Sequence, residues 1–330
     1  MTTEICAVNS DSLAAAKKIL QGGGVVAFPT ETVYGLGGDA RNDEAVQRIY
    51  QVKGRPSDNP LIVHIHSEFD LSSLVYDTPY AGRLRQAFLP GPLTLVYKSK
   101  NNVSKLVSCG LDTLAIRVPA HKGAQEFLRY VDMPIAAPSA NLSKHISPVS
   151  AEHVYSDLNG KIPLILDGGI CSGGIESTVC DVTGEFPVVL REGLISKEMI
   201  ESVAGKCEVY KFKEGEQARS PGMRYKHYAP RCATRLFEAG QIEEAKECFA
   251  ENHRIGKKVY VLCEDRFKSN FPSDYVLNLG RTEYEIAANL YAELRKGEAV
   301  ADLIIAIKPE KKDGIMAGVL NRLSKACANE

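Results

Sequence analysis

No C-x-x-C pair occurs anywhere in the chain, and its nine cysteines, at positions 6, 109, 171, 180, 207, 232, 248, 263 and 327, are scattered and odd in number. That excludes a fully paired disulfide framework and the usual zinc spacing, and leaves reduced thiols that pack as small hydrophobes. No apolar run approaches the roughly 20 residues of a membrane helix. The opening MTTEICAVNSDS lacks the charged-then-apolar order of a secretory signal. The expectation is a cytoplasmic protein without a membrane partner. Neither sign of charge dominates: 40 Lys and Arg stand against 41 Asp and Glu, a net charge of -1. Indiscriminate nucleic-acid binding needs a broad basic surface and is excluded, whereas a local basic cleft is not.

Familiar catalytic signatures are missing as well. Without G-x-x-x-x-G-K-[ST] there is no ordinary P-loop, so any phosphate site must be built in another way. Without G-x-S-x-G, Ser139 is not an elbow nucleophile. Gly35-Leu36-Gly37-Gly38-Asp39-Ala40 fits G-x-G-x-x-A in form, but P-T-E-T-V-Y separates it from the preceding strand, which a dinucleotide fingerprint does not allow. His64 and His66 share a strand face by two-residue periodicity, which permits a metal pair, yet no third ligand stands at a recognisable spacing. Hydrogen-bonding histidines are the plainer reading.

What is present is an α/β pattern. With 330 residues, 44% hydrophobic and 25% charged, the chain suffices for two domains of ordinary size. It is organised around residues 24–60. The apolar run Val25-Val26-Ala27-Phe28 reads as a buried strand stopped by Pro29, and Thr30-Glu31-Thr32 with Tyr34-Gly35-Leu36-Gly37-Gly38 then sets hydroxyls, a carboxyl and permissive backbone at its end. Open α/β sheets place their ligands at such strand ends. A helix capped near Asn42-Asp43 and running through Val46, Ile49 and Tyr50 delivers Lys53-Gly54-Arg55-Pro56 to the same edge.

Before this stretch, Ser10-Asp11-Ser12 caps a helix that Gly22-Gly23-Gly24 ends. After it, strands are predicted at 61–65, 93–97, 114–119 and 134–137, a strand and turn at 163–169, and helices at 79–89, 122–130 and 150–158. Residues 177–182 and 188–191 read as a hairpin around Thr183-Gly184-Glu185. This first domain spans 1–212. A linker, 213–231, begins polar and ends S-P-G-M-R-Y-K-H-Y-A-P, too rich in aromatics and cations for a passive spacer. Residues 232–330 alternate strands at 234–237, 258–263, 275–279 and 303–307 with helices at 242–250 and 282–296, a smaller α/β domain.

Each candidate site has a bland alternative. Lys53 and Arg55 suit a solvated helix end, but Gly54 and Pro56 fix a turn that lets a ligand approach. Arg117 lies among apolar residues in a predicted strand, so an acidic partner or a ligand carboxylate or phosphate must meet it. Ser139 and Asn141, in S-x-N, fit a cap or turn as well as a site. Glu176-Ser177-Thr178 fits a strand start and Arg191 a surface charge. The shared placement at strand ends is the stronger argument.

Taken together, P-T-E-T-V-Y-G-L-G, K-G-R-P-x-x-x-P-L, P-G-P-L-T, R-V-P, A-P-S-A-N-x-S, E-S-T-V and S-P-G-M-R-Y-K-H-Y-A-P resemble the threonylcarbamoyl-AMP synthase family in its longer form. The resemblance covers residues 24–230. It implies a YrdC-type catalytic domain, a twisted open mixed sheet whose helices form a concave cleft, followed by a Rossmann-like C-terminal domain. It also implies a nucleotidyltransferase that makes threonylcarbamoyl-AMP and pyrophosphate from L-threonine, bicarbonate or CO2 and ATP, with Mg2+ and no tightly bound organic cofactor. The product would pass to the machinery that modifies an adenosine beside the anticodon of tRNA, with at most a weak tRNA contact by this chain.

By the same resemblance, Lys53, Arg55, Asn59, Thr113, Ser139, Asn141, Ser147 and Arg191 would hold ATP, with Lys53 and Arg55 catalytic. Thr32, His64, Arg117 and Ser177 would hold threonine, and Tyr225 and His227 would fold over the pocket as a lid. The chemistry agrees with the missing nucleophile motif: threonine's amine adds to CO2, and a carbamate oxygen attacks the α-phosphorus, so positioning and charge neutralisation suffice. Two other readings stand beside this one. An RNA-binding module is disfavoured by the balanced charge. A carbamoyl-adenylate former of hydrogenase maturation is disfavoured because its zinc-binding and acylphosphatase-like regions are not visible.

Overall fold

In the computed structural model, which describes residues 2–211 and 228–328, two sheets carry the chain. The larger runs in the order Glu4–Ala7, Leu164–Asp167, Val26–Phe28, Gly35–Asp39, Ile135–Ala137, Ile62–His64, Thr113–Arg117, Leu93–Ser99, Thr178–Asp181, Val188–Arg191 and Glu208–Val209, with Val75–Tyr76 beside Leu93–Ser99. Parallel and antiparallel pairs mix. Ile62–His64 lies parallel to Thr113–Arg117 and antiparallel to Ile135–Ala137.

Val26–Phe28 is buried along its whole length because sheet partners flank it on both sides and apolar side chains leave from both faces. The next segment departs from expectation. Gly35–Asp39 is not a ligand turn but an antiparallel strand between Val26–Phe28 and Ile135–Ala137. Its glycines serve close approach: a Cβ on Gly37 would lie 2.6 Å from Ile135 Cγ2 and 2.9 Å from the Phe28 ring. The helix Asp43–Lys53 starts where Asn42 accepts hydrogen bonds from the Glu44 and Ala45 amides. It stops where Gly54 turns left-handed at φ 59°, sending Arg55 back toward the sheet.

In the second unit, Ala233–Phe237, Leu303–Ile307, Val259–Cys263 and Val276–Asn278 form a four-stranded parallel sheet. Val259, Val261 and Cys263 pack with the helix Ile242–Arg254, while Leu262, Ile304 and Ala306 pack with Glu283–Glu298, so helices cover both faces. The helices Lys197–Ala204 and Ile315–Ala326 and the edge strand Glu4–Ala7 have no counterpart in the sequence reading. One hydrophobic cluster runs from Val149 and Ile175 beside the large sheet to Leu290, Tyr291 and Val319 of the second unit. Full burial of each large apolar side chain there contributes on the order of 1.5–3 kcal/mol, which docks the two units on each other.

Candidate active site

Three adjacent strands set the floor of the cleft. Pairing brings His64 opposite Arg117 and Arg117 opposite Thr94, one polar row across the sheet. Arg117 is buried, and its Nη2 lies 2.8 Å from Glu31 Oε1, the acidic partner its position demands. The pair is off-line for hydrogen bonding. Nε of Arg117 and both Glu31 oxygens are buried without a hydrogen-bond partner, and so are suited to a ligand that carries both charges. Burial first, then the Arg117 charge, pushes the His64 pKa down to about 3, so its imidazole is neutral at physiological pH. Ser177 Oγ closes the row, 2.8 Å from Thr94 Oγ1, while Arg191 donates to the Ser177 carbonyl from Nε at 3.1 Å and Nη2 at 2.9 Å.

The opposite wall comes from the turns after Lys53 and Ala137. Lys53 does not line the cleft. It lies behind the wall, 2% exposed, and its Nζ donates to the Ser139 carbonyl, to the Asn141 carbonyl at 2.5 Å and to Asn141 Oδ1 at 3.4 Å. The K-x-R and S-x-N motifs are thus tied together by an ammonium on backbone oxygens. Burial, then the neighbouring Arg55, holds the Lys53 pKa well below its ordinary value. Ser139 Oγ donates to Asn141 Oδ1 at 2.5 Å, and Asn141 Nδ2 donates to the carbonyls of Leu142 and His145, both at 2.8 Å. Arg55 does line the cleft, with Nη2 at 3.3 Å from the Asn59 and Pro60 carbonyls and Nε buried without a partner.

Of the residues singled out in the sequence, Arg55, His64, Arg117, Ser139, Asn141, Ser147, Ser177 and Arg191 meet on this one cleft. Four others stand apart from its lining. Thr32 is fully buried behind Thr30, their hydroxyls 2.9 Å apart, and it is Thr30 that reaches the cleft. Asn59 is buried with neither amide atom bonded. Thr113 begins the strand that ends in Arg117 and borders a separate surface recess with Lys98 and Asp181. Lys53 is the fourth. Tyr225 and His227 lie outside the described residues.

Sequence reasoning gave no individual site role to Glu176, His145, Tyr34 or Tyr228, all on the cleft. For Glu176, Tyr34 and Tyr228 the signal was membership of a motif; His145 lies outside every motif quoted. Glu176 Oε1 accepts the Ser147 hydroxyl at 2.6 Å, and Tyr228 stacks on Tyr291 at 5.4 Å. Among the described residues, no three His, Cys, Asp or Glu side chains cluster as metal ligands. His64 lines the cleft, whereas His66 does not and has Nε2 3.1 Å from Asp132 Oδ1.

Two family models match the chain. One, described as Telomere recombination and covering the Sua5, YciO and YrdC proteins, takes residues 18–193, and the other, the threonylcarbamoyl-AMP synthase C-terminal domain, takes 195–328. The chain belongs to the threonylcarbamoyl-AMP synthase family. It has the two-domain form, since both models match in order. The threonylcarbamoyl-AMP synthase of Bacillus subtilis is 43% identical over 98% of this chain and 95% of its own length. That of Pyrococcus abyssi is also 43% identical, over 94% and 92%. The crystal structure of Pyrococcus abyssi Sua5 complexed with L-threonine superposes with a TM-score of 0.89 at 40% identity, covering 99% of this chain and 97% of that one.

Proposed function

We propose that this protein is an L-threonylcarbamoyladenylate synthase, forming threonylcarbamoyl-AMP and pyrophosphate from L-threonine, bicarbonate or CO2 and ATP in the cytoplasm. Its product would supply the threonylcarbamoyladenosine modification next to the anticodon of tRNA. The observation that carries the reading is that the Thr94–Arg117–His64 row and the Arg55–Ser139–Asn141 wall face one cleft, joined by Ser177 and Arg191. An amino-acid carboxylate fits the partnerless Nε of Arg117, and the buried Glu31 oxygens beside it favour an amine.

On this reading the threonine amine adds to CO2, a carbamate oxygen attacks the α-phosphorus, and pyrophosphate leaves. Neutral His64 packs against the substrate without competing with Arg117 for its carboxylate. Arg55 and Arg191 meet phosphate charge, while Lys53 keeps the Ser139 and Asn141 turn in place, so its contribution to ATP use runs through that turn. Mg2+ fits as the companion of ATP: the cleft carboxylate, Glu176, is committed to Ser147, Tyr291 and Arg322, so phosphates and water would complete its shell and it would neutralise phosphate charge. Asn59 and Thr113 flank the nucleotide side in this assignment, and Thr32 supports Thr30 at the threonine side. A catalytic domain of 1–212 and a C-terminal domain of 232–330 are joined by the linker, whose Tyr225 and His227 would exclude water from the labile carbamate.

Pyrophosphate release from ATP and Mg2+, with threonine and bicarbonate omitted in turn, tests the reading. Release that requires both is expected. Release that requires neither would reduce the protein to an ATP hydrolase, and tRNA binding without any release would favour an RNA-binding module.

A further inference from the structure

The second unit reaches into the cleft wall through two side chains with no measurable exposure, Tyr291 on the helix Glu283–Glu298 and Arg322 on Ile315–Ala326. Both converge on Glu176. The Tyr291 hydroxyl lies 3.3 Å and 3.0 Å from the two Glu176 oxygens, and Arg322 Nε donates to Oε2 at 3.1 Å. On its far side Glu176 accepts the Ser147 hydroxyl at 2.6 Å. A buried ion pair stabilises a fold no better than well-packed apolar residues of the same size. Docking already has a buried ion pair of its own, Arg295 on Asp157 at 3.0 and 2.8 Å, whereas the cluster on Glu176 is the one that continues to a side chain of the cleft, Ser147. The backbones already dock closely, since a Cβ on Gly318 would lie only 3.0–3.2 Å from the Gly193 backbone.

We propose that Tyr291 and Arg322 are positioning residues of the synthase reaction: they fix the Glu176 carboxylate so that it holds the Ser147 hydroxyl in the orientation that receives the nucleotide. The C-terminal domain is then part of the ATP site without touching ATP. On the threonine side Ser177 has holds of its own, from Arg191 on its carbonyl and from Thr94 on its hydroxyl. Tyr228, where the linker rejoins the described chain, stacks on the Tyr291 ring and lines the cleft, so the same tyrosine steadies the root of the linker. The charged and titratable groups that face Glu176 are Arg191, Tyr228, Tyr291, Arg322, Lys325 and, at longer range, Lys53. Burial opposes ionisation of Glu176, but Arg322 and then Arg191 outweigh it and bring its pKa to about 2.

The inference rests on the synthase reading, and the test separates the two. Tyr291→Phe keeps the ring and its stack while deleting the hydroxyl. Glu176→Gln keeps the shape and deletes the charge. Each is expected to raise KM for ATP about 10- to 100-fold, the loss of one hydrogen bond to a charged group, with KM for threonine moved less than about twofold. The double variant should be no worse than the poorer single one, because both act on one link. Arg322→Met should shift the acid limb of the kcat/KM profile for ATP upward, as burial then raises the Glu176 pKa with Arg191 and the Ser147 hydrogen bond left to oppose it, and Arg322→Lys should shift it back. Additive losses, or equal changes in both KM values, would overturn the proposal. ATP dissociation constants for the same proteins, measured by calorimetry, keep the test independent of turnover. If the unaltered protein binds ATP but releases no pyrophosphate with threonine, the synthase reading fails while the coupling is still read from binding. If it binds no ATP, both fail.

Discussion

Arg117 shows how far a single residue can be read and where the reading stops. A cation in an apolar strand demands a partner, and that much is written in the sequence; that the partner is Glu31, from the turn after Pro29, is decided only by the sheet order. Arg117→Ala is expected to raise KM for threonine by about 10- to 100-fold, with KM for ATP nearly unchanged. It should also lower the melting temperature, because Glu31 is left buried and unpaired. Lys53 was legible as a cation at a turn but not as one facing backbone carbonyls, since nothing local says that residues 139 and 141 will stand above it.

His64 carries a pH prediction at the same scale. Its folded pKa of about 3 lies below the ordinary value of 6.5, so between those pH values the unfolded chain binds a proton that the folded one does not. Stability is therefore full above pH 6.5 and falls as the pH drops toward 3, by a few kcal/mol in order of magnitude. His153, lowered to about 4 mainly by burial, adds in the same direction. Urea midpoints measured from pH 7.5 to 4 should decline for the unaltered protein and decline less for His64→Gln. Parallel curves for the two would contradict the assignment.

At the scale of elements, apolar runs and caps marked out most of what forms. The helix Asp43–Lys53 has both ends written in sequence, Asn42 at one and Gly54 at the other. Leu303–Ile307 follows directly from its composition. The elements that escaped lack such signals for physical reasons. Ile315–Ala326 begins after Gly314 with no side-chain cap, and Glu4–Ala7 is a short edge strand with mostly exposed side chains. Gly35–Asp39 hides because three of its five residues are glycine, a poor strand former in isolation, kept here because neighbouring side chains occupy the space a Cβ would need. Gly37→Ala should force Phe28 and Ile135 apart at a cost of about 1–3 kcal/mol, read as a lower urea midpoint. An unchanged midpoint would show that the sheet can open there.

At the scale of the molecule, the catalytic cleft and the second α/β unit form one body. The motifs of the cleft were legible because they concentrate polar residues at strand ends, whereas Tyr291 and Arg322 sit in ordinary helical sequence and acquire meaning only when the helices are docked. Gly318, against Gly193, is one of the close points of that docking. Gly318→Leu should push Ile315–Ala326 off the Gly193 backbone and lower pyrophosphate release several-fold, while near-normal release would mean that the interface is dispensable.

The central claim, that this cleft joins threonine, one carbon of bicarbonate and AMP, is tested most directly by the product itself. Incubation with ATP, Mg2+, threonine and 13C-bicarbonate, followed by mass spectrometry, should give threonylcarbamoyl-AMP carrying one heavy carbon, with pyrophosphate in equal amount. An adenylate without the heavy carbon, or ADP and phosphate in its place, would contradict the account.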